Sequence, residues 1–122
     1  MLHGDRGLRA ITLRNSHTGR EWTAETSWLF LCLGGVPQTQ WAAQAGVICD
    51  SGGYIITGSD LLRDGQPSDS WVLDRKPYAM ETSLPGVFAA GDVRAGSIKR
   101  CASAVGEGAW TIASVHRYLA DR

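Results

Sequence analysis

The chain has 122 residues, with 12 basic and 12 acidic side chains and 43% hydrophobic residues, a size that folds around one core. The even charge balance makes no electrostatic case for nucleic acid or an anionic membrane surface, and three cysteines without paired spacing form no secreted disulfide framework. No apolar run approaches the roughly 20 residues of a membrane span and the amino terminus has no signal-peptide core, so the cytoplasm is the expected compartment.

In chain order, residues 8–13 alternate as a strand does, the run NSHTG at 15–19 carries turn chemistry, and REWTA at 20–24 returns as the second strand of a hairpin. The apolar run 28–33 predicts a third, buried strand with Cys32 in the core. It is stopped by Gly34, Gly35 and Pro37. Residues 42–46 predict a short helix and 53–57 another strand. Segment 58–76, polar and broken by Gly and Pro, predicts an extended loop. Such a loop is either a solvent-exposed insertion or a cover for a partner domain or bound group.

The most informative stretch follows. Pro85 and Gly86 make a turn, and residues 87–90 predict a short buried strand of a parallel sheet. Gly91 removes the side chain where that strand ends, and Asp92 offers a carboxylate at the end where open α/β sheets place ligands. Asp92 can accept hydrogen bonds from sugar or polyol hydroxyls. By itself the pair reads equally well as an ordinary strand-to-loop turn. The helix beyond it recurs at Ala102, Val105, Gly106, Ala109, Ile112, Ala113 and His116, and Gly106 and Gly108 predict close packing against a neighbour. Lys99 and Arg100 stand at its amino terminus, where cations are unfavourable unless an anionic or electron-rich group binds. The alternative is a solvated basic turn.

The sequence TSLPGVFAAGDVR at 82–94, the helix motif AVGEG and the upstream LGGVPQT at 33–39 resemble the carboxyl-terminal third of a bacterial-type thioredoxin reductase or close relative. The resemblance implies an α/β fold, a partial FAD/NAD(P)-binding Rossmann-like fold. Residues 1–35 would end an NAD(P)H domain as a β-meander and 36–122 would be the last segment of the FAD domain. It implies FAD and NADPH as cofactors. Gly91 and Asp92 would hold the ribityl and pyrophosphate region, with Lys99, Arg100, Cys101 and Ala102 beside the isoalloxazine ring. Thioredoxin reductases proper carry Arg-Gln where this chain has Lys99 and Arg100, which points to the thioredoxin reductase-like branch often fused to regulatory domains.

Neither GxGxxG fingerprint of a complete flavin disulfide reductase is present; the nearest match, at Gly106 and Gly108, lies inside a helix with Thr111 in the third place. Cys32, Cys49 and Cys101 form no CxxC pair. Cys101, at a helix start beside two cations, has the setting of a thiolate, but the resemblance makes it a small residue packed under the flavin. His3, His17 and His116 show no ligand spacing, so neither a metal site nor a catalytic residue is expected. Two functions follow. One is the carboxyl-terminal part of an oxidoreductase that moves electrons from NADPH through FAD to a disulfide or small redox protein, with missing amino-terminal segments and a homodimer as partners. The other is a non-catalytic FAD-binding or assembly module. Either way, the separate chain is expected to expose sheet edges and an apolar face.

Overall fold

The structure is a computed structural model and describes all residues except Pro67, Ser68, Ser70 and Arg122. It divides into two compact units, Met1–Gly34 and Gly35–Arg122.

The first unit is an antiparallel meander in the order β1 (Leu2–His3), β2 (Ala10–Arg14) and β3 (Glu21–Glu25). The hairpin between β2 and β3 is set by Asn15, whose Oδ1 accepts from the N–H groups of His17 and Thr18 at 2.9 Å each. That register places Thr12 opposite Thr23 and Leu13 opposite Trp22, and the two threonine hydroxyls bond across the strands at 3.0 Å. The hairpin expected from sequence is therefore present, its first strand beginning two residues later and ending one residue later than expected.

The third strand differs. Residues 28–33 form no strand; Trp28 is 76% and Phe30 81% exposed, and Cys32 is exposed instead of in the core. Leu2 and His3 supply the third strand on the far side of β2. An apolar run becomes a strand only where a neighbour supplies ladder hydrogen bonds, and among the described residues none does so for this run.

The second unit gathers Ala42, Val47, Ile55 and Ala89 into a small core, with Cys49 and Leu84 packed against it. Helix α1 (Gln40–Gln44) begins two residues earlier than the sequence predicts. The expected strand at 53–57 is reduced to bridges: Ile55 pairs with Cys49 on one side and, in parallel sense, with Arg94 on the other. Likewise 87–90 contributes one bridge, Phe88 to Glu81, which is antiparallel and not the parallel pairing expected, and Val87 is exposed instead of buried. Both runs occupy strand-like positions without forming extended ladders, because each has only short partners within this chain.

Segment 58–76 is not simply extended. Gly58–Leu61 forms a 3-10 turn with Leu61 buried, Arg63 and Gln66 exchange backbone bonds, and Trp71 is 3% exposed. The indole N–H of Trp71 donates to the Arg75 carbonyl.

Beside that segment lies a wholly buried carboxylate. Glu81 receives both arms of the Arg75 guanidinium at 2.8 Å, the Tyr78 N–H at 2.8 Å and the Gly86 N–H at 2.9 Å. Arg75 is also enclosed by the rings of Trp71, Tyr78 and Tyr118. The preceding Met80 holds φ +64, unusual for a bulky residue, and it is kept there by bonds from its neighbours, including the Ala89 N–H to its carbonyl.

Helix α2 (Cys101–Ala120) is the longest element, and it turns the opposite way from the sequence expectation. Ala102, Val105, Gly106, Ala109, Ile112, Ala113 and His116 all face solvent, whereas Ala104, Glu107, Thr111, Ser114 and Tyr118 lie toward the unit. A Cβ at Gly106 or Gly108 would meet nothing within 4 Å. Hydropathy alone selects the more apolar stripe. The fold instead turns inward the stripe carrying Glu107, whose carboxylate has partners there. Among the described residues no helix is long and apolar enough to cross a membrane, and no cluster of His, Cys, Asp or Glu could hold a metal ion.

Candidate functional site

The chain leaves its extended course at Ala90 (φ −142, ψ 159) and reverses at Gly91, whose φ of +76 is open chiefly to glycine. A Cβ at Gly91 would sit 3.5 Å from that of Ala104, an ordinary contact, so conformation rather than space selects glycine. Gly91–Val93 then makes a 3-10 turn.

This turn is tied to α2 from two sides. The Gly91 N–H donates to Glu107 Oε2 at 2.7 Å, and Arg94 grips the same carboxylate through Nη2 at 2.7 Å and Nε at 3.2 Å. The Arg94 guanidinium and, to a lesser extent, the Gly91 N–H hold the Glu107 carboxyl below its ordinary pKa despite partial burial. On the other side, Lys99 Nζ donates to the Asp92 carbonyl at 2.7 Å and to Ser97 Oγ at 2.8 Å, and lies 4.1 Å from the centre of the Tyr54 ring. Tyr54 is itself fixed by its hydroxyl donating to the Gly35 carbonyl.

The side chain of Asp92 is exposed, and its carboxylate has no protein partner among the described residues. Arg100 occupies the N-cap of α2 in an extended conformation and provides no side-chain cap. The leading N–H groups of the helix are thus left for other acceptors. The Arg100 N–H donates to the Ile98 carbonyl at 2.7 Å and its guanidinium, among the described residues, to the Lys99 carbonyl at 2.9 Å, so the exposed guanidinium keeps further donors. Cys101 and Ala102 are exposed in the first turn.

The structure therefore joins Gly91, Asp92 and Lys99 through direct bonds, with Arg100, Cys101 and Ala102 following at the helix start. Lys99 is committed to the backbone and an aromatic face, unlike the free cation the sequence suggests. The residues missed by sequence reasoning are Glu107 and Arg94. Glu107 lies in the GEG triplet, where the glycines drew attention as a failed fingerprint. Its partners stand 13 and 16 residues away, beyond any local charge pattern.

A meander followed by a unit that buries a strand end against a long helix is a small α/β assembly, here a fragment of an FAD/NAD(P)-binding domain. The chain belongs to the pyridine nucleotide-disulphide oxidoreductase family, whose sequence model matches residues 4–108. It is 31% identical over 114 residues to mitochondrial thioredoxin reductase 1 of Arabidopsis thaliana, covering 93% of this chain and 25% of that protein. Against thioredoxin reductase of Listeria innocua the identity is 30%, covering 93% of this chain and 30% of the relative. The crystal structure of thioredoxin reductase from Streptococcus pyogenes superimposes with a TM-score of 0.64 at 29% identity, over 99% of this chain and 33% of that one. The chain thus spans a quarter to a third of the length of these three relatives.

Proposed function

We propose that this chain is the carboxyl-terminal part of a thioredoxin reductase-like flavoenzyme, and that the turn at Gly91 and Asp92 with the start of α2 is its share of the FAD site. The observation that carries this reading is the convergence of an unpartnered Asp92 carboxylate with an uncapped helix amino terminus. The residues fit the group: the turn at Gly91 carries Asp92 to the solvent-exposed side near the helix start, Asp92 can accept from ribityl hydroxyls, and the α2 N–H groups and Arg100 offer donors to electron-rich oxygens. Cys101 and Ala102 present small side chains where a planar ring would lie. Bound flavin supplies the two-electron carrier between NADPH and an acceptor disulfide or small redox protein.

Under this reading residues 1–35 close the NAD(P)H domain and 36–122 complete the FAD domain, in a cytoplasmic enzyme that works as a homodimer. Turnover requires the Gly-rich fingerprints and paired thiols that this sequence lacks. The exposed row of α2, including Val105 and Ile112, and the exposed Trp28 and Phe30 are surfaces for segments that complete the fold. Absorbance after incubation with FAD and desalting tests the proposal. The parent should retain flavin and Asp92→Ala should lose it with unchanged circular dichroism; a colourless parent, or equal flavin in both, refutes it.

A further inference from the structure

We propose that Glu107 is a positioning residue that holds the turn at Gly91 and Asp92 in its binding conformation, with Arg94 holding Glu107 in turn; the consequence for FAD rests on the reading above. Gly91 reverses at a positive φ, so its N–H points away from any ladder partner and needs an acceptor from elsewhere. Glu107 provides that acceptor from α2, sixteen residues on. A carboxylate divided between a backbone N–H and a guanidinium fork has little orientational freedom. Arg94 is fixed as well, donating to the Ala95 carbonyl at 3.2 Å and to Thr57 Oγ1 at 3.5 Å. The bonds therefore run from Thr57 through Arg94 and Glu107 to Gly91, and they set where the adjoining Asp92 carboxylate stands relative to the helix start.

Two truncations separate positioning from general support. Glu107→Met and Arg94→Met both break the ion pair and should both lower the unfolding temperature, but only Glu107→Met removes the acceptor at Gly91. Fluorescence titration with FAD should show about tenfold weaker binding for Glu107→Met, the scale of one charge-assisted hydrogen bond, and a smaller loss of about threefold for Arg94→Met, which keeps the acceptor at Gly91 but no longer holds it in place. Glu107→Gln, which keeps an oxygen at Gly91, should restore most of the affinity. Amide exchange at Gly91 without cofactor should be slow in the parent and in Glu107→Gln, intermediate in Arg94→Met, and fast in Glu107→Met. Equal loss of FAD in the two Met variants, or unchanged Gly91 exchange in Glu107→Met, overturns the proposal. A parent that binds no FAD sinks the cofactor reading alone, and the exchange result then decides the role of Glu107. Should Glu107→Met not fold, the parent suffices: the Gly91 amide proton must shift with the midpoint of the Glu107 carboxyl carbon. A Gly91 shift independent of Glu107 contradicts the contact.

Discussion

Arg75 and Glu81 meet through two parallel bonds of 2.8 Å, and the carboxylate they share is entirely removed from solvent. Two further N–H groups complete the acceptor capacity of Glu81, so among the described residues no buried side-chain nitrogen or oxygen of the cluster is left unpaired. Removing one partner strands the other, and that asymmetry sets the cost. Glu81→Ala is expected to destabilise the chain by about 3–5 kcal/mol. Arg75→Met should cost at least as much, because it leaves a wholly buried carboxylate without its cation, whereas the guanidinium left by Glu81→Ala is partly exposed to water. Urea unfolding of both variants checks the order; a Glu81→Ala midpoint equal to that of the parent contradicts it.

The same carboxylates set the response to acid. Burial pushes the Glu81 carboxyl up, but Arg75 and the N–H groups of Gly86 and Tyr78 outweigh it, and the net position is below the ordinary value. Glu107 is likewise lowered, chiefly by Arg94. Groups with depressed folded pKa values contribute stability above the unfolded value of about 4.3, and that contribution is lost as pH falls through the folded values. Unfolding free energy should therefore fall as pH drops below about 4.3, with a shallower decline in Glu81→Gln. Stability that rises on acidification through this window would contradict the assignment.

Gly86 tests close approach. It has φ +83, and a Cβ there would lie 2.7 Å from Tyr118 Cζ and Oη. Both conformation and space oppose a side chain, so Gly86→Ala should lower stability by about 1–3 kcal/mol as Tyr118 is displaced from its edge-to-face contact with Phe88. An unchanged thermal midpoint would contradict this packing.

Gly106 is the converse. It lies in α2 on the solvent-facing row with open space around it, so Gly106→Ala should stabilise the chain by about 0.5–1 kcal/mol through helix propensity alone. Calorimetry decides the sign. A loss of stability would mean that the row is already covered, for instance by a second copy.

What could be read from the sequence depended on how local its cause was. The Asn15 turn and the flanking strands were legible because a side chain and its own neighbouring N–H groups define them. The positions of Gly91, Asp92 and the start of α2 were legible because glycine, turn and helix signals stand in one continuous run. The facing of α2 was not, since it depends on Glu107 meeting Gly91 and Arg94 across the fold. Nor was the fate of residues 28–33, where hydrophobicity predicts burial but cannot supply the neighbour that would bury it. The Arg75 and Glu81 pair also escaped: Arg75 lies at the end of a segment, 58–76, whose polarity reads as a loop, and its partner stands beyond that segment.

The most direct test of the cradle is the map of amide chemical shifts in the chain during titration with FAD. The account predicts the largest changes at Gly91, Asp92, Cys101 and Ala102, with smaller ones at Glu107 and Tyr54. Changes concentrated in residues 1–34, or none at saturating FAD, would contradict it.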